Sequence, residues 1–268
     1  MVKPSKRCAG KRYNRRMLYG VIFDLGSTLI YSESDHQWGR LLPRMQRDLL
    51  SHLQANGYAL EPQAFLNRLS ANYAEFDQQR QTDWVEYTMA FILTRTLAEL
   101  GAPAPSPALL ADALRAYYAC SETEWRPLPG AHAVLDQLSA AGLRLGLISN
   151  AGDAANVQRL IDQAGLRPYF DPIVISAAVG LRKPNPQIFA RVLAAWGRPA
   201  AECVMVGDTL GADILGAQLA GLRHVWLTAH ADHPANRAHR GNIVPEAEAA
   251  SLPDLLPLLR AWGAPLPA

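Results

Sequence analysis

Three aspartates, a lysine and a hydroxyl stand out in this chain for where they fall. Asp24 ends the apolar run Val21-Ile22-Phe23 and is followed by Leu25-Gly26-Ser27-Thr28. Ser149 and Asn150 end a second apolar run, and Lys183 lies in Arg182-Lys183-Pro184, just ahead of a helix start. Asp208 sits in Gly207-Asp208-Thr209 after a third run, with Asp213 beyond it. Asp24 and Asp208 are hard oxygen donors of the kind that suit Mg²⁺, and a carboxylate so placed can equally act as a nucleophile. Ser149 offers a hydroxyl, and the helix start after it offers backbone N–H groups for an anion. Lys183 is a point positive charge apt for a phosphoryl oxygen. Together these groups make a site for phosphoryl transfer, where positioning and charge neutralisation do most of the catalysis. Singly, each has a plainer reading: Ser149 and Asp208 as helix caps, Lys183 as a solvated lysine, Asp213 as a surface residue of its helix. Their shared placement, each at a strand end or a helix start, is what points to one site.

That placement depends on the elements around them. Short apolar runs bounded by polar residues read as buried strands. The segments Val21–Phe23, 145–149, 172–176, 204–207 and 224–228 have this form and alternate with helical patterns, which implies a parallel sheet with right-handed crossovers. In such a sheet all carboxyl ends lie on one side, so the polar residues can converge there. The sequence Ala-Gly-Leu-Arg recurs at 141–144, 164–167 and 220–223. Each occurrence is a helix stop, with Gly in the left-handed position and Leu folding back on the last turn. Asn185 caps a helix from about Pro186 to Trp196, with Pro186 in its first position.

Between about residues 32 and 126 the rhythm changes to helix throughout. Leu41, Leu42, Met45, Leu49, Leu50 and Leu53 recur at three- and four-residue steps, with Ser34 or Asp35 as the cap, Pro43 near the start and Gly57 closing. Further helices are expected over Pro62 to Gln79, Asp83 to Leu100, and Ser106 to Cys120, the last capped by Ser106 with Pro107 following.

The four motifs in this order resemble those of the haloacid dehalogenase-like hydrolase superfamily, over Tyr19 to Thr228. The helical insertion stands where members with a helical cap carry theirs, after the first motif. The resemblance implies an α/β protein: a Rossmann-like, doubly wound parallel sheet core (17–31 and 127–268) with an inserted all-helical cap (32–126). It implies that Asp24 is the nucleophile and forms an aspartyl-phosphate, with Lys183 as its catalytic partner. Thr28, Ser149, Asn150 and Lys183 would hold the substrate phosphate. Asp24, Asp208 and the backbone carbonyl of Gly26 would bind Mg²⁺, with Asp213 in or beside the metal shell. The expected partner is a small phosphorylated substrate.

The chain departs from that pattern at one place. Most phosphatases of the family carry a second Asp two residues after the nucleophile, as general acid/base, and here that position is Gly26. The next position, commonly Gly, is Ser27. Loss of such a group typically costs ~10²–10⁴-fold in rate. Three readings follow: a phosphohydrolase that uses a surrogate such as Glu33, Asp35 or His36, or substrates whose leaving groups need little protonation; a dehalogenase attacking carbon; or a non-catalytic module binding a phosphorylated ligand or a partner. The intact Gly207-Asp208 pair, Asp24 and Lys183 favour the first. Trp38, Arg40, Trp84 and Tyr87 are candidates to face the substrate from the cap, although Trp84 and Tyr87 read better as helical core.

Bulk properties narrow the class further. With 268 residues, 49% hydrophobic and 19% charged, the chain can build a sizeable core. No apolar run approaches the ~20 residues of a membrane helix. Cys8, Cys120 and Cys203 are an odd number without a Cys-x-x-Cys pair, which fits a reducing, cytoplasmic setting. Residues 1–16 hold seven basic residues and no acid, against a net charge of +2 overall. They read as a disordered tail, or as a start misplaced ahead of Met17, rather than as a nucleic-acid-binding arm. His230, Asp232, His233 and His239 match no tight metal motif and read as a solvated loop. No long heptad repeat is present, so a monomer or small homo-oligomer is expected.

Overall fold

The structure, a computed structural model, describes residues 17–32 and 38–267. The basic stretch 1–16, the expected caps Ser34 and Asp35, the surrogate candidates Glu33, Asp35 and His36, and the Trp38 side chain lie outside the described residues.

The chain opens with β1 (Gly20–Phe23) and β2 (Ile30–Ser32), then passes through four helices: α1 (Trp38–Ala55), α2 (Pro62–Asp83), α3 (Met89–Glu99) and α4 (Pro107–Glu122). It returns through β3 (Trp125–Pro127), α5 (Ala131–Ala140), β4 (Arg144–Ser149), α6 (Ala154–Gln163), β5 (Ile173–Ile175), the short α7 (Ser176–Val179) and α8 (Pro186–Trp196). The remainder is β6 (Cys203–Gly207), α9 (Leu215–Ala220), β7 (Arg223–Leu227), α10 (Pro234–Arg237), β8 (Ala247–Ala249) and α11 (Leu255–Ala261). Six strands form one sheet in the order β5-β4-β1-β6-β7-β8, and every pairing in it is parallel.

The strands are apolar along their length because both faces of the sheet are covered. Alternate residues divide between the two sides. Val21, Phe23, Leu147, Val204 and Val206 pack under α5, α6 and α11 through Leu135, Leu138, Ile161 and Leu259. Ile22, Ile148, Cys203 and Met205 pack under α8 and α9 through Ile188, Phe189, Val192 and Ala217. The three Ala-Gly-Leu-Arg stops behave as expected. Gly142, Gly165 and Gly221 have positive φ, and the N–H groups of Leu143, Leu166 and Leu222 reach back to the carbonyls of Leu138, Ile161 and Ala217.

The four inserted helices enclose a separate apolar cluster that includes Leu49, Leu53, Phe65, Leu69, Ile92 and Leu97. Three features here differ from the sequence reading. First, β2 and β3 pair antiparallel, with Tyr31 opposite Arg126, so the chain leaves and re-enters the sheet through one ribbon rather than through loops. Secondly, α2 runs on to Asp83 and α3 begins only at Met89. Trp84 takes a left-handed conformation (φ 56°), the Asp83 carboxylate accepts the Val85 N–H, and Thr88 caps α3. The freed segment 84–89 bonds instead to the core: Arg182 N–H to Trp84 O (3.1 Å), Glu86 N–H to Gly180 O (3.1 Å) and Met89 N–H to Gly152 O (2.8 Å). Tertiary partners for the backbone outweigh local helix propensity there. Thirdly, Ala-Glu-Ala at 247–249 forms the edge strand β8, where one side needs no apolar cover.

Candidate active site

The polar residues meet at the carboxyl edge of the sheet. Asp24 follows β1, Ser149 ends β4, Asp208 follows β6, and Lys183 comes from the loop between α7 and α8. Asp24, Ser149, Lys183, Asp208 and Asp213 are all buried, and each lines a pocket of about 350 Å³. Lys183 is the centre of the charge arrangement. Its Nζ donates to Asp24 Oδ1 (2.5 Å), Asp213 Oδ1 (2.6 Å) and the Ile148 carbonyl (2.9 Å), which engages all three of its protons.

Asp213 reaches this point through a π-helical turn, Leu210–Ile214, in which its N–H bonds to Thr209 O and its Oδ2 accepts the Thr209 N–H (2.9 Å). A Cβ on Gly207 would sit 2.3 Å from the Asp213 carboxyl group, so only glycine lets this side chain pass. One carboxylate oxygen from each of Asp24, Asp208 and Asp213 lies within 4.8 Å of the other two. Three buried acids face one ammonium. Burial pushes the Asp24 carboxyl up to about 7; Lys183 pulls it back, while Asp213 and Asp208 add to the rise. Asp213 is also raised, chiefly by burial. Burial opposes the charge on Lys183, but Asp213 and Asp24 outweigh it and hold its pKa above the usual lysine range.

Such an excess of buried negative charge, presented by oxygen donors alone, is the chemistry of a site for a small hard cation. The three aspartates supply carboxylate donors for such a cation, and Gly26 lines the same pocket.

The other expected ligand-binding residues are placed differently. Thr28 is fully buried, and its hydroxyl lies 3.5 Å from Asp208 Oδ1, so it braces that carboxylate from below rather than facing the pocket. Asn150 lines the pocket, but its amide bonds to the main chain of Lys183 at both ends: Oδ1 accepts the Lys183 N–H (2.8 Å) and Nδ2 donates to the Lys183 carbonyl (2.9 Å). It positions the lysine. The Gly26 position has room: an added Cβ would meet the Trp125 ring at 3.8 Å, an ordinary contact, and its φ is not in the left-handed region. Ser27 does take that region, with φ 56°.

Five contributors were not read from the sequence. Arg182 is a second cation on the pocket wall. Its Nη1 lies 3.7 Å from Glu86 Oε1 of the 84–89 segment and makes no hydrogen bond. Burial holds its pKa below the usual arginine range. Trp125 of β3 lines the pocket beside Gly26. His233 and Asn236 come from the segment expected to be solvated, and they buttress Asp208. The Asn236 amide donates to the carbonyls of Asp208 (2.8 Å) and Ala231 (2.8 Å), and its Oδ1 accepts the Leu210 N–H (2.7 Å). His233 Nε2 lies 3.3 Å from Asp208 Oδ2 and 3.0 Å from the Asn236 amide nitrogen. Trp226 Nε1 adds a bond to the Asp208 carbonyl (2.7 Å). The available signal was position: polar residues just beyond β7 share the sheet edge at which the other strands end in Asp24, Ser149 and Asp208.

A family model described as haloacid dehalogenase-like hydrolase matches residues 20–221. The pyrimidine 5'-nucleotidase YjjG of Escherichia coli is 41% identical over 134 residues, which are 50% of this chain and 56% of that protein. The glyceraldehyde 3-phosphate phosphatase of Pyrococcus furiosus is 26% identical over 211 residues, 79% of this chain and 81% of that one. The chain thus spans little more than half the length of the nucleotidase. Among solved structures, the 2-haloacid dehalogenase of Pseudomonas syringae has a TM-score of 0.64 at 25% identity, covering 91% of this chain and 99% of that one.

Proposed function

Because the chain belongs to the haloacid dehalogenase-like hydrolases, we propose that it hydrolyses small phosphate monoesters, with Asp24 as the nucleophile. In this reading an Asp24 oxygen attacks phosphorus, the bond from phosphorus to the ester oxygen breaks, and the alcohol leaves. Water then attacks the aspartyl-phosphate, releasing inorganic phosphate and restoring the carboxylate. The observation that carries it is the Lys183 ammonium held at 2.5 Å from Asp24 and 2.6 Å from Asp213, where it can neutralise a phosphoryl oxygen next to the nucleophile. Ser149 and the Arg182 guanidinium face the same pocket and serve as further phosphate donors. Asn150 fixes the lysine from behind. Asp24, Asp208, Asp213 and the Gly26 carbonyl would hold Mg²⁺, which when bound supplies charge neutralisation at the phosphoryl oxygens. Helices α1–α4, as a cap spanning residues 32–126 over a core of 17–31 and 127–268, exclude water and select the alcohol.

Residue 26 has no side chain to protonate the leaving group, so esters with acidic alcohols turn over fastest. The likeness to a dehalogenase keeps attack on carbon as the second reading. The test is hydrolysis of p-nitrophenyl phosphate with Mg²⁺, beside 2-chloropropionate. Phosphate release that falls at least ~10³-fold in Asp24→Asn, without chloride release, is expected. Chloride release without phosphate release, or equal phosphate release by the variant, overturns the proposal.

A further inference from the structure

A second cavity, of about 410 Å³, lies among the four inserted helices. It shares Trp125, Asn156 and Leu160 with the wall of the catalytic pocket, so the two spaces are one side chain apart. Its size is that of a small-molecule site. Beyond the shared residues its walls are largely aliphatic and aromatic: Leu42, Met45, Leu69 and Ile92 with Tyr73 and Tyr117 as examples.

Arg80 is its one charged wall residue among the described residues. That charge is already met. The guanidinium pairs with Asp77, lies 3.4 Å from Glu86 Oε1, and donates to the Tyr73 hydroxyl (3.1 Å). Glu86 also lies near Arg182, and its Oε2 accepts from Ser176 (2.7 Å). No uncompensated charge faces the cavity, so a second phosphate, a carboxylate or an ammonium on the substrate would lose its water there and meet only neutral hydroxyl and amide groups such as Gln46, Ser70 and Ser121, with no opposite charge. The ring faces offer the opposite: large apolar area with stacking and edge-on geometry, as in the Tyr117–Tyr118 pair at 4.8 Å.

We infer that this cavity takes the alcohol half of the substrate, and that the substrate is the phosphate monoester of an uncharged alcohol bearing an aromatic ring. The inference rests on the phosphomonoesterase reading above. It separates this chain's substrate from small or doubly charged phosphates on chemistry alone. Trp125 is the gate residue between the two halves: it closes the catalytic pocket beside Gly26 and floors the cap cavity.

The experiment compares 2-phenylethyl phosphate, ethyl phosphate and O-phosphoserine, all with alkoxide leaving groups, so that ring and charge rather than leaving-group acidity are tested. p-Nitrophenyl phosphate serves as the control for turnover. The expected result is a kcat/KM for 2-phenylethyl phosphate at least ~10-fold above the other two, carried mainly by KM. In Ser70→Trp, which fills the cavity from an exposed wall position, the ratio of phenylethyl to ethyl ester should fall to about unity. Because the readout is a ratio, a general loss of activity cancels. Ethyl phosphate or phosphoserine turned over as well as the phenylethyl ester overturns the inference and leaves the phosphatase reading standing. No turnover of any ester, the control included, removes both.

Discussion

The charged pocket at the sheet edge and the cavity among the inserted helices are neighbours of similar volume, about 350 and 410 Å³, built in opposite ways. Three carboxylates and two cations wall the first, and they come from strand ends, a loop and the π-helical turn. Most are held by further polar bonds: Asp208 by Thr28 and His233, Asp213 by Thr209, Lys183 by Asn150. The second is walled by helix side chains whose one charge is neutralised locally. A reaction that moves charge needs preorganised dipoles and therefore a fixed frame. Discrimination between alcohols needs only shape and apolar area, which helix positions can vary one at a time. The difference is that one region is tuned by bonding and the other by volume.

The sharpest way to break this contrast is to remove the cation at the centre of the first region. Lys183→Met leaves three buried acids without their ammonium. Loss of such a partner costs about 3–5 kcal/mol, and turnover of p-nitrophenyl phosphate should fall ~10²–10³-fold. Urea unfolding without metal, together with initial rates with Mg²⁺, measures both. A variant as stable and active as the parent would show that the charge cluster is incidental.

Gly26→Asp works in the other direction. The site has room for the side chain beside Trp125, so the added acid should raise the rate for ethyl phosphate ~10²-fold while changing p-nitrophenyl phosphate little. If both esters respond alike, leaving-group protonation is not what the pocket lacks. His233→Ala should weaken Mg²⁺ binding ~10-fold, as loss of an outer hydrogen bond to a ligand typically does. Titration calorimetry of Mg²⁺ reads this without any substrate, and unchanged binding would make His233 a bystander.

The smallest effect concerns pH in metal-free protein. The Asp24 carboxyl is raised on folding from 3.8 to about 7 by burial. Its contribution to stability is therefore full below pH ~4 and lost as pH rises through about 7. The melting temperature in EDTA should drop by on the order of 5 °C across that window relative to Asp24→Asn, which lacks the titrating group. Parallel curves for the two proteins would contradict the raised carboxyl.

The half of the molecule tuned by bonding was also the more legible in the sequence. Asp24, Ser149 and Asp208 were legible because apolar runs end in or just before them and a parallel sheet brings all such ends to one side, and Lys183 and Asp213 because they stand just ahead of a helix and just beyond Asp208. The helix stops were legible for a similar reason, since Gly142, Gly165 and Gly221 each need a backbone conformation that few other residues tolerate. What escaped depends on partners distant in sequence. The segment 84–89 looks helical until Gly180, Arg182 and Gly152 offer its backbone other bonds. The role of Asn236 appears only when Leu210 and Asp208 are folded against it. Thr28 and Asn150 are expected from the sequence to hold phosphate, but their side chains turn to Asp208 and to the Lys183 backbone, a distinction that spacing does not encode.

The two bonds between the Asn150 amide and the Lys183 main chain also have a topological meaning. They close the neck of a long stretch of chain that carries α6, the sheet's edge strand β5 and α7 between Asn150 and Lys183. Because the neck is fastened, the return point of the chain is set locally and not by the length of the path. Insertions or deletions at exposed turns of the stretch, such as the one around Gly165, are absorbed within it, and the cost of a longer loop grows only slowly with its length. One amide thus uncouples the evolution of that stretch from the registration of the ammonium, and it marks those turns as places where a reporter or a binding epitope can be grafted with the charge cluster kept in place.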